Sequence, residues 1–432
     1  MIRLFGTVIA AGFGLCLATA NAAEPYHDAI DQAAAALDDK VVAWRRDIHQ
    51  NPELSNREFR TGELVAEHLR ALGFDEVQTG VAHTGVVGLL KGGQSGPVVA
   101  LRADMDALPV TEETGLPFAS TQRATYKGQD VGVMHACGHD AHTAILMGVA
   151  ELLAGMREDI PGTVKFIFQP AEESPPPGEE GGALMMIAEG ALENPRPEAI
   201  FALHVTPADL NKVYYARDTL LASLDRFTIT VRGRQTHGAF PERGVDPIVV
   251  ASQIVMGLQT IRSRQIGTND PAVISVGQIE GGERFNIIPD EVTMVGTVRT
   301  LDEDVRANIR ERMTVTAENI AASAGATAEV VFDIPYSVTR NDPELVDRML
   351  PSFARVVGPA AVIQRPPVMG AEDFSFFAQK VSGMYVLLGS RPPEIPLAEA
   401  AFNHSPRFVI DEAALETGVR LLAGAALDFL HQ

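Results

Sequence analysis

Cysteine is scarce in this 432-residue chain, which contains only Cys16 and Cys137. Cys16 lies in an apolar N-terminal run over residues 4–17, and small residues dominate positions 18–23. The run is too short, and too rich in small residues at its end, for a membrane-spanning helix. It predicts a secretory signal peptide covering residues 1–23, and we therefore expect a secreted or periplasmic protein.

Removal of this signal peptide would leave Cys137 as the single cysteine of the mature chain. An intramolecular disulfide is then excluded, and a free thiol is a liability in an oxidising compartment. Metal ligation would account for the cysteine, because a coordinated thiolate is both held and protected. A buried, inert thiol is the alternative.

Basic residues are also few, since 35 lysines and arginines stand against 56 aspartates and glutamates, for a formal net charge of −21. Nucleic acids and anionic lipid surfaces need a basic face, so this composition argues against both as partners. No later apolar run is long enough to insert into a membrane. An anionic substrate must therefore be captured by a local arginine, against the field of the whole protein.

The length of the chain suits two or three domains. Apolar strands alternate with helices through most of the sequence, which is typical of an α/β fold with a mostly parallel sheet flanked by helices. Around residue 221 the pattern changes to half-buried strands and helices in a β-α-β-β-α-β order. We predict a discontinuous α/β domain made of residues 24–220 and 333–432, with a small ferredoxin-like domain inserted at residues 221–332.

The densest set of potential metal ligands lies at residues 134–142, which include three histidines, an aspartate and Cys137. One glycine separates Cys137 from His139, so both side chains can point toward the same ion. An apolar stretch of helical character begins at Thr143, and Asp140 is well placed near its start. The segment therefore predicts a ligand loop that leads into a buried helix, although each residue alone is more often an ordinary core residue.

Polar side chains follow three of the predicted apolar strands, at the ends where open parallel sheets place their sites. They are Asp104 and Asp106, the pair Glu172 and Glu173, and His204. Neighbouring glutamates that point in different directions can divide labour, because one can ligate a metal while the other takes a proton from metal-bound water. A solvated turn for the glutamates and a core position for the histidine are the alternatives.

Five motifs together resemble the M20 metallopeptidase superfamily. They lie at residues 102–109, 134–142, 168–173, 202–205 and 402–406. They most resemble its amidohydrolase branch, which includes hippurate hydrolase, N-acyl-amino-acid hydrolases and plant auxin-conjugate hydrolases. The resemblance covers nearly the whole chain after the predicted signal peptide. It implies that the larger domain is a zinc-peptidase-like catalytic domain and that the inserted domain is a lid and dimerisation domain.

The resemblance also implies two divalent metal ions. Their ligands would be Cys137, His139, Glu173, His204 and His404. Cys137 would stand where related peptidases use a bridging aspartate, and Asp104 occupies a position where relatives often have a ligand histidine. Thiolate and imidazole ligands suit zinc, while manganese, cobalt and nickel stay open as alternatives.

Roles for the residues around the metals are implied in the same way. Glu172 would be the general base, with Asp106 as its supporting acid, and Glu372 and Asp373 would be further acids behind the site. His237 of the inserted domain would polarise the scissile carbonyl, and in many relatives the partner subunit of a dimer provides this histidine. The substrate-binding positions are Arg299, Asn286 and Gly370. A guanidinium suits a carboxylate because its donors match both oxygens.

These features predict a metal-dependent amidohydrolase that cleaves the amide bond of N-acyl amino acids with metal-activated water. A dinuclear-metal exopeptidase or dipeptidase is the alternative within the same chemistry, and a non-catalytic metal-binding relative is the alternative outside the enzymes. The proline-rich loop at residues 174–182 replaces a short glycine-rich loop of many relatives, so specificity cannot be inferred from any one of them. We expect a homodimer or a higher homo-oligomer.

Overall fold

The computed structural model describes residues 25–432, so the predicted signal peptide lies outside the described residues. The helices are α1 (Pro25–Gln50), α2 (Phe59–Ala71), α3 (His139–Gly155), α4 (Gly182–Ala188), α5 (Pro247–Arg264), α6 (Glu303–Ser323), α7 (Pro343–Val357), α8 (Phe374–Ala378) and α9 (Ala413–Leu430). Pro52 lies between α1 and α2, because proline interrupts a helix. No helix within the described range is both long and apolar enough to cross a membrane.

The strands of the described chain form two main sheets and three short two-stranded pairs. They are β1 (Glu76–Val81), β2 (Gly85–Lys91), β3 (Gln94–Asp104), β4 (Arg123–Tyr126), β5 (Gln129–Gly132), β6 (Pro161–Gln169), β7 (Ala199–Asp209), β8 (Val213–Tyr215), β9 (Thr219–Leu221), β10 (Leu224–Arg232), β11 (Thr236–His237), β12 (Ala272–Glu280), β13 (Ile287–Ile288), β14 (Glu291–Thr300), β15 (Thr327–Tyr336), β16 (Thr339–Arg340), β17 (Val362–Gln364) and β18 (Ser382–Arg391).

The central sheet of the described chain has the strand order β1-β2-β6-β3-β7-β18-β8-β17. Its middle strands β6, β3, β7 and β18 are parallel neighbours, whereas the pairs β1–β2, β2–β6 and β8–β18 are antiparallel. The middle strands are apolar runs buried on both faces, as is usual where helices cover both sides of a parallel sheet. Their carboxyl ends meet at one edge of the sheet. The predicted α/β class with a mostly parallel central sheet is confirmed.

Strand β7 is longer than predicted, and His204 lies within it rather than beyond its end. On one side β7 pairs with β3 only as far as Ala202, opposite Arg102. On the other side it continues beside β18, where His204 lies opposite Leu387. The prediction that the strand ends before His204 is wrong, because this second neighbour keeps the backbone extended, and local sequence does not reveal the neighbour.

Helix α3 begins at His139 and is buried along most of its length, because α1, α9 and the central sheet cover it. A β-carbon at Gly148 would lie 2.8 Å from a methyl group of Val41 and 3.0 Å from one of Val419. Glycine at this position therefore allows the three helices to pack closely. Gly138, just before the helix, has a φ of 99°, a left-handed conformation that favours glycine. The loop that precedes α3 is thus joined to a rigid, buried helix.

The second main sheet has the order β12-β14-β10-β15, and all its neighbours are antiparallel. Helices α5 and α6 pack on it, and residues such as Phe227, Ile254 and Met294 form a core separate from that of the central sheet. Asp246 and Asp302 cap the two helices, since each carboxylate accepts backbone N–H groups of the first turn. Apart from the two-residue β11 and β13, the elements follow the predicted β-α-β-β-α-β order.

Candidate metal centre

Three potential metal ligands lie together at the carboxyl edge of the central sheet: Cys137, His139 and His204. Their ligand atoms all lie within 4.8 Å of one another, and Sγ of Cys137 is 3.3 Å from Nε2 of His204. Nε2 of His139 is buried and has no hydrogen-bond partner among the described residues. A buried, unpartnered ring nitrogen beside a thiol is an arrangement that a metal ion would satisfy.

Cys137 also belongs to a second group, together with Glu173 and His404. Nε2 of His404 lies 2.8 Å from Oε1 of Glu173. The backbone at His404 is left-handed, with a φ of 72°, and its N–H donates a 2.7 Å hydrogen bond to the oxygen of Ala136. The structure therefore brings together the five predicted ligands in two groups that share the thiol.

Backbone hydrogen bonds orient two of the histidine rings. Nδ1 of His139 donates to the backbone oxygen of Asp106 at 2.8 Å. Nδ1 of His204 donates to the backbone oxygen of Val205 at 2.7 Å. Because Nδ1 carries the proton in each neutral ring, Nε2 is left with a lone pair for a ligand.

Acidic neighbours raise the pKa of two of the potential ligands, His139 and Cys137. Burial disfavours the charged form of His139, but Asp104 and Asp106 outweigh burial and raise its pKa to about 10. Burial and the carboxylate of Glu173 raise the pKa of the Cys137 thiol well above its usual range. The His139 ring and the Cys137 thiol therefore hold protons that a cation would displace. Thiolate, imidazole and carboxylate donors together fit divalent metal ions.

Asp106 fixes the backbone of the two neighbouring glutamates. Its Oδ1 accepts the N–H of Glu172 at 3.1 Å, and its Oδ2 accepts the N–H of Glu173 at 3.0 Å and the hydroxyl of Ser55 at 2.8 Å. Asp106 itself is 1% exposed. The two glutamates follow β6, and a carboxylate oxygen of each lies within 4.8 Å of a ring nitrogen of His139. Glu173 also lies beside His404, whereas Glu172 also lies beside buried acids.

The carboxyl group of Glu172 lies beside those of Glu372 and Asp373, with an oxygen of each within 4.8 Å of the others. Arg102 is the adjacent cation, and it donates to Glu372 at 2.9 Å and to Asp373 at 3.2 Å. Burial, followed by the charges of Glu372 and Glu173, raises the pKa of Glu172 well above its usual range. A carboxylate in such surroundings is a good proton acceptor, as a general base must be.

Asp104 and His142 are hydrogen-bonded to one another, and together with His139 they form a further group of potential ligand atoms that lie within 4.8 Å of one another. Nδ1 of His142 donates to Oδ1 of Asp104 at 2.6 Å, and Arg102 donates to Oδ2 of Asp104 at 2.6 Å. Nε2 of His142 accepts the backbone N–H of Val205 at 2.9 Å. His142 thereby connects α3 to β7 beside the ligand groups. Sequence reasoning left His142 unassigned, although its spacing of one helical turn from His139 indicates a shared face.

A cavity of about 640 Å³ lies over the ligand groups. Arg299 and Gly370, two of the predicted substrate-binding residues, are in its wall, and Arg299 donates to the backbone oxygen of Met369 at 3.5 Å. The wall also contains residues that sequence reasoning did not assign: Tyr336, Arg365 and Tyr385. They come from separate parts of the chain, and no local motif marks them.

His237 and Asn286 are not in the wall of this cavity. His237 is exposed and ends β11, where it lies opposite Ile287 of β13. The backbone oxygen of Asn286 accepts the N–H of Gly238 at 2.9 Å, so the two predicted residues lie close to each other. The described single chain therefore does not bring them to Glu172.

The site combines two ligand groups that share a thiol with a buried carboxyl group, in a cavity at the carboxyl edge of a parallel sheet. It defines a metal-dependent hydrolase that acts on amide bonds. The chain belongs to peptidase family M20/M25/M40, whose family model matches residues 100–428. The family predicted from the motifs is confirmed.

Three comparisons illustrate this membership. The chain is 41% identical over 399 residues to thermostable carboxypeptidase 2 of Saccharolobus solfataricus, across 92% of this chain and 97% of that protein. It is 36% identical over 401 residues to N-acetylcysteine deacetylase of Bacillus subtilis, across 92% and 99%. A solved Bacillus subtilis structure, described as a dinuclear metal binding peptidase from the M20 family, has a TM-score of 0.75 and 35% identity, with coverage of 92% and 99%.

Proposed function

We propose that this protein hydrolyses the amide bond of N-acyl amino acids, with Glu172 as the general base. One observation carries the proposal: the buried carboxyl group of Glu172 lies beside two ligand groups that share Cys137. Arg299 in the same cavity supports a substrate with a carboxylate. The similarity to an N-acetylcysteine deacetylase supports an N-acyl amino acid in particular.

Two divalent ions fit the donor atoms of this site. Cys137, His139 and His204 would hold one ion, and Cys137, Glu173 and His404 would hold the other. When bound, the ions supply Lewis acidity, which polarises the amide carbonyl and makes water easier to deprotonate. Zinc and manganese are the ions that we propose first, with cobalt and nickel as alternatives.

The protein groups move one proton in this reaction. Glu172 takes a proton from water while the water oxygen bonds to the carbonyl carbon of the substrate. Glu172 then returns the proton to the amide nitrogen as the carbon–nitrogen bond breaks, so the products are a carboxylic acid and a free amino acid. Asp106 holds the backbone N–H of Glu172, and Arg299 would bind the carboxylate of the amino acid.

The substitution Glu172→Gln tests the assigned base. The amide keeps the size of the side chain but cannot take a proton, so turnover should fall by about 10²-fold or more while metal content is unchanged. Glu180→Gln, on an exposed loop residue, is the matched control and should keep full activity. Turnover that survives in Glu172→Gln at normal metal content would refute the role of Glu172.

A metal-dependent carboxypeptidase or dipeptidase is the second candidate, because the chain is 41% identical to a thermostable carboxypeptidase. Both activities break an amide bond next to an amino acid with a free carboxylate. The two candidates differ in the acyl side, which is a simple acyl group in one case and a peptide in the other. A comparison of N-acetyl amino acids, free-amine dipeptides and blocked tripeptides at equal concentration distinguishes them.

We also propose that the protein is exported and that residues 221–332 act as a lid and dimerisation domain in a homodimer or higher homo-oligomer. The N-terminal sequence pattern supports the first statement, and the separate core under α5 and α6 supports the second. Amino-terminal sequencing of protein purified from the periplasm should begin just after residue 22 or 23. Sedimentation analysis of the full chain measures the assembly state.

A further inference from the structure

The active-site cavity contains a second arginine, Arg365, which the proposed reaction does not use. It follows β17 at the border of the central sheet and is half-buried. Its backbone N–H donates a 2.8 Å hydrogen bond to the oxygen of Tyr215, which fixes this part of the wall. Among the described residues that line the cavity, Arg299 and Arg365 are the only arginines, and there is no lysine.

Neither guanidinium has an acidic partner in the described part of the chain. For Arg299, burial alone lowers the pKa, with no contribution from a carboxylate. Arg365 has no carboxylate oxygen within 4.0 Å among residues 25–432. The buried arginines elsewhere are paired, as Arg102 is with Asp104 and Arg306 with Asp225. In a protein with 56 acidic and 35 basic side chains, two unpaired half-buried cations in one cavity indicate an anionic ligand.

Apart from the two arginines and the histidines of the ligand groups, the cavity wall offers an anionic ligand no basic side chain among the described residues. Much of the wall away from the ligand groups is apolar, and it includes Leu221, Leu224, Val368 and Leu387. A carboxylate engages one guanidinium best, through two parallel N–H···O bonds. Two guanidinium groups from different sheets therefore match two carboxylates better than one.

We propose that the preferred substrate is an N-acyl amino acid with a second carboxylate, which Arg365 binds while Arg299 binds the α-carboxylate. This inference rests on the proposed function and names its substrate class. The second carboxylate has two sources, either the side chain of an acidic amino acid or the far end of a dicarboxylic acyl group. The same charge-assisted contact with Arg365 recognises both sources.

Two pairs of substrates test the proposal on the metal-loaded full-length enzyme. N-acetylglutamate is compared with N-acetylglutamine, and N-succinylleucine with its terminal amide, so that each pair differs by one charge. In at least one pair, kcat/KM should be about tenfold to a hundredfold higher for the charged member, as expected for a hydrogen bond to a charged group. The pair that shows the preference identifies the source of the second carboxylate.

Substitutions then assign the preference to Arg365. Arg365→Gln should lower kcat/KM for the charged member to that of its neutral partner and leave the neutral partner unchanged, whereas Arg365→Lys should keep part of the preference. Arg262→Gln is the matched control, because Arg262 is half-buried on α5 and outside the cavity wall. The Arg262→Gln variant should prefer the charged substrate over the neutral one by the same factor as the unmodified enzyme.

Two results would overturn the proposal. Hydrolysis of neutral N-acyl amino acids without any charge preference in either pair would remove this inference and leave the proposed function standing. A preference that persists in Arg365→Gln would exclude Arg365 as its cause. If no N-acyl amino acid is cleaved by the unmodified enzyme, the proposed function fails and this inference fails with it.

Discussion

The hydroxyl of Tyr336 donates a 2.6 Å hydrogen bond to the backbone oxygen of Glu172, although the two residues are 164 positions apart. Tyr336 ends β15 in the second main sheet, and Glu172 follows β6 in the central sheet. The same hydroxyl lies 3.2 Å from Oγ of Ser174. The position of the proposed base therefore depends on a residue from the other sheet.

Tyr336→Phe should lower kcat by about tenfold and leave KM nearly unchanged, which corresponds to about 1.4 kcal/mol of barrier. The ring stays, so the packing is kept, but the hydrogen bond that holds Glu172 is lost. Steady-state kinetics together with thermal unfolding measure the effect. Tyr126→Phe, on the β4–β5 hairpin, is the control and should change neither constant. A normal kcat in Tyr336→Phe would show that this hydrogen bond does not position the base.

Cys137→Ser should lose metal and activity together, because Cys137 is common to both ligand groups. Loss of a shared thiolate should weaken metal affinity by at least about tenfold to a hundredfold. Metal analysis after dialysis and an activity assay at matched metal concentration give the two readouts. Retention of both metal and activity would contradict the assignment of Cys137.

Alkylation of Cys137 offers an independent check on the thiol. The raised pKa predicts that the metal-free protein reacts slowly with iodoacetamide near pH 7 and faster as the pH rises. Bound metal should protect the thiol across this range. Because the predicted mature chain has no other cysteine, mass spectrometry reads the reaction directly. Equal reaction rates with and without metal would argue against ligation.

Asp140, in the first turn of α3, is buried and accepts hydrogen bonds from Arg45 at 2.7 Å and His49 at 2.8 Å. Burial would raise the pKa of Asp140, but Arg45 and His49 hold it well below its usual range. Its stabilising effect on the fold is thus complete above the unfolded pKa of about 4 and is lost as the pH falls below that value.

His49 has the opposite pH dependence. Burial opposes the charge on His49, but Asp140 and Glu112 raise its pKa. Its contribution to the stability of the fold is therefore complete below about pH 6.5 and is lost at higher pH.

Asp140→Asn should therefore destabilise the protein by about 3 kcal/mol near pH 6, because Arg45 loses its buried partner. The difference from the unmodified protein should shrink as the pH falls below about 4. Urea unfolding at several pH values measures both effects. Asp130→Asn, on an exposed residue of β5, is the control and should be nearly neutral. A difference that is constant with pH would contradict the role of the Asp140 charge.

His237 lies outside the cavity of its own chain, which predicts that a partner subunit brings it to the site. If so, coexpression of a His237→Ala chain with a Glu172→Gln chain should restore activity that neither variant has alone. Random mixing makes half of the dimers mixed, each with one intact site, so about a quarter of the normal activity should return. Coexpression of a Glu172→Gln chain with a Cys137→Ser chain is the control. Both residues belong to the site of their own chain, so every site in the mixed dimer keeps one defect and no activity should return. No recovery in the first mixture would favour action within one chain.

Local sequence was sufficient for much of the site. Cys137 and His139 are two residues apart before an apolar helix, and Glu172 and Glu173 follow an apolar strand, so short-range spacing is enough to predict that they act together. The alternation of strands and helices likewise predicted the mostly parallel sheet. Local sequence does not predict strand β1, because most of its residues are exposed and it lacks an apolar pattern.

Contacts between distant segments could not be predicted in this way, because they depend on which strands become neighbours. The pairing of β7 with β18 puts His204 inside a strand, and the path of the last loop brings His404 to Glu173. The hydrogen bond between Asp104 and His142 likewise joins β3 to α3. By itself the sequence determined the family and the α/β class, since these follow from short-range patterns. Only the tertiary structure decided that Tyr336 contacts Glu172, that Arg365 lines the cavity and that His237 stays outside it, because the packing of the two sheets sets these positions.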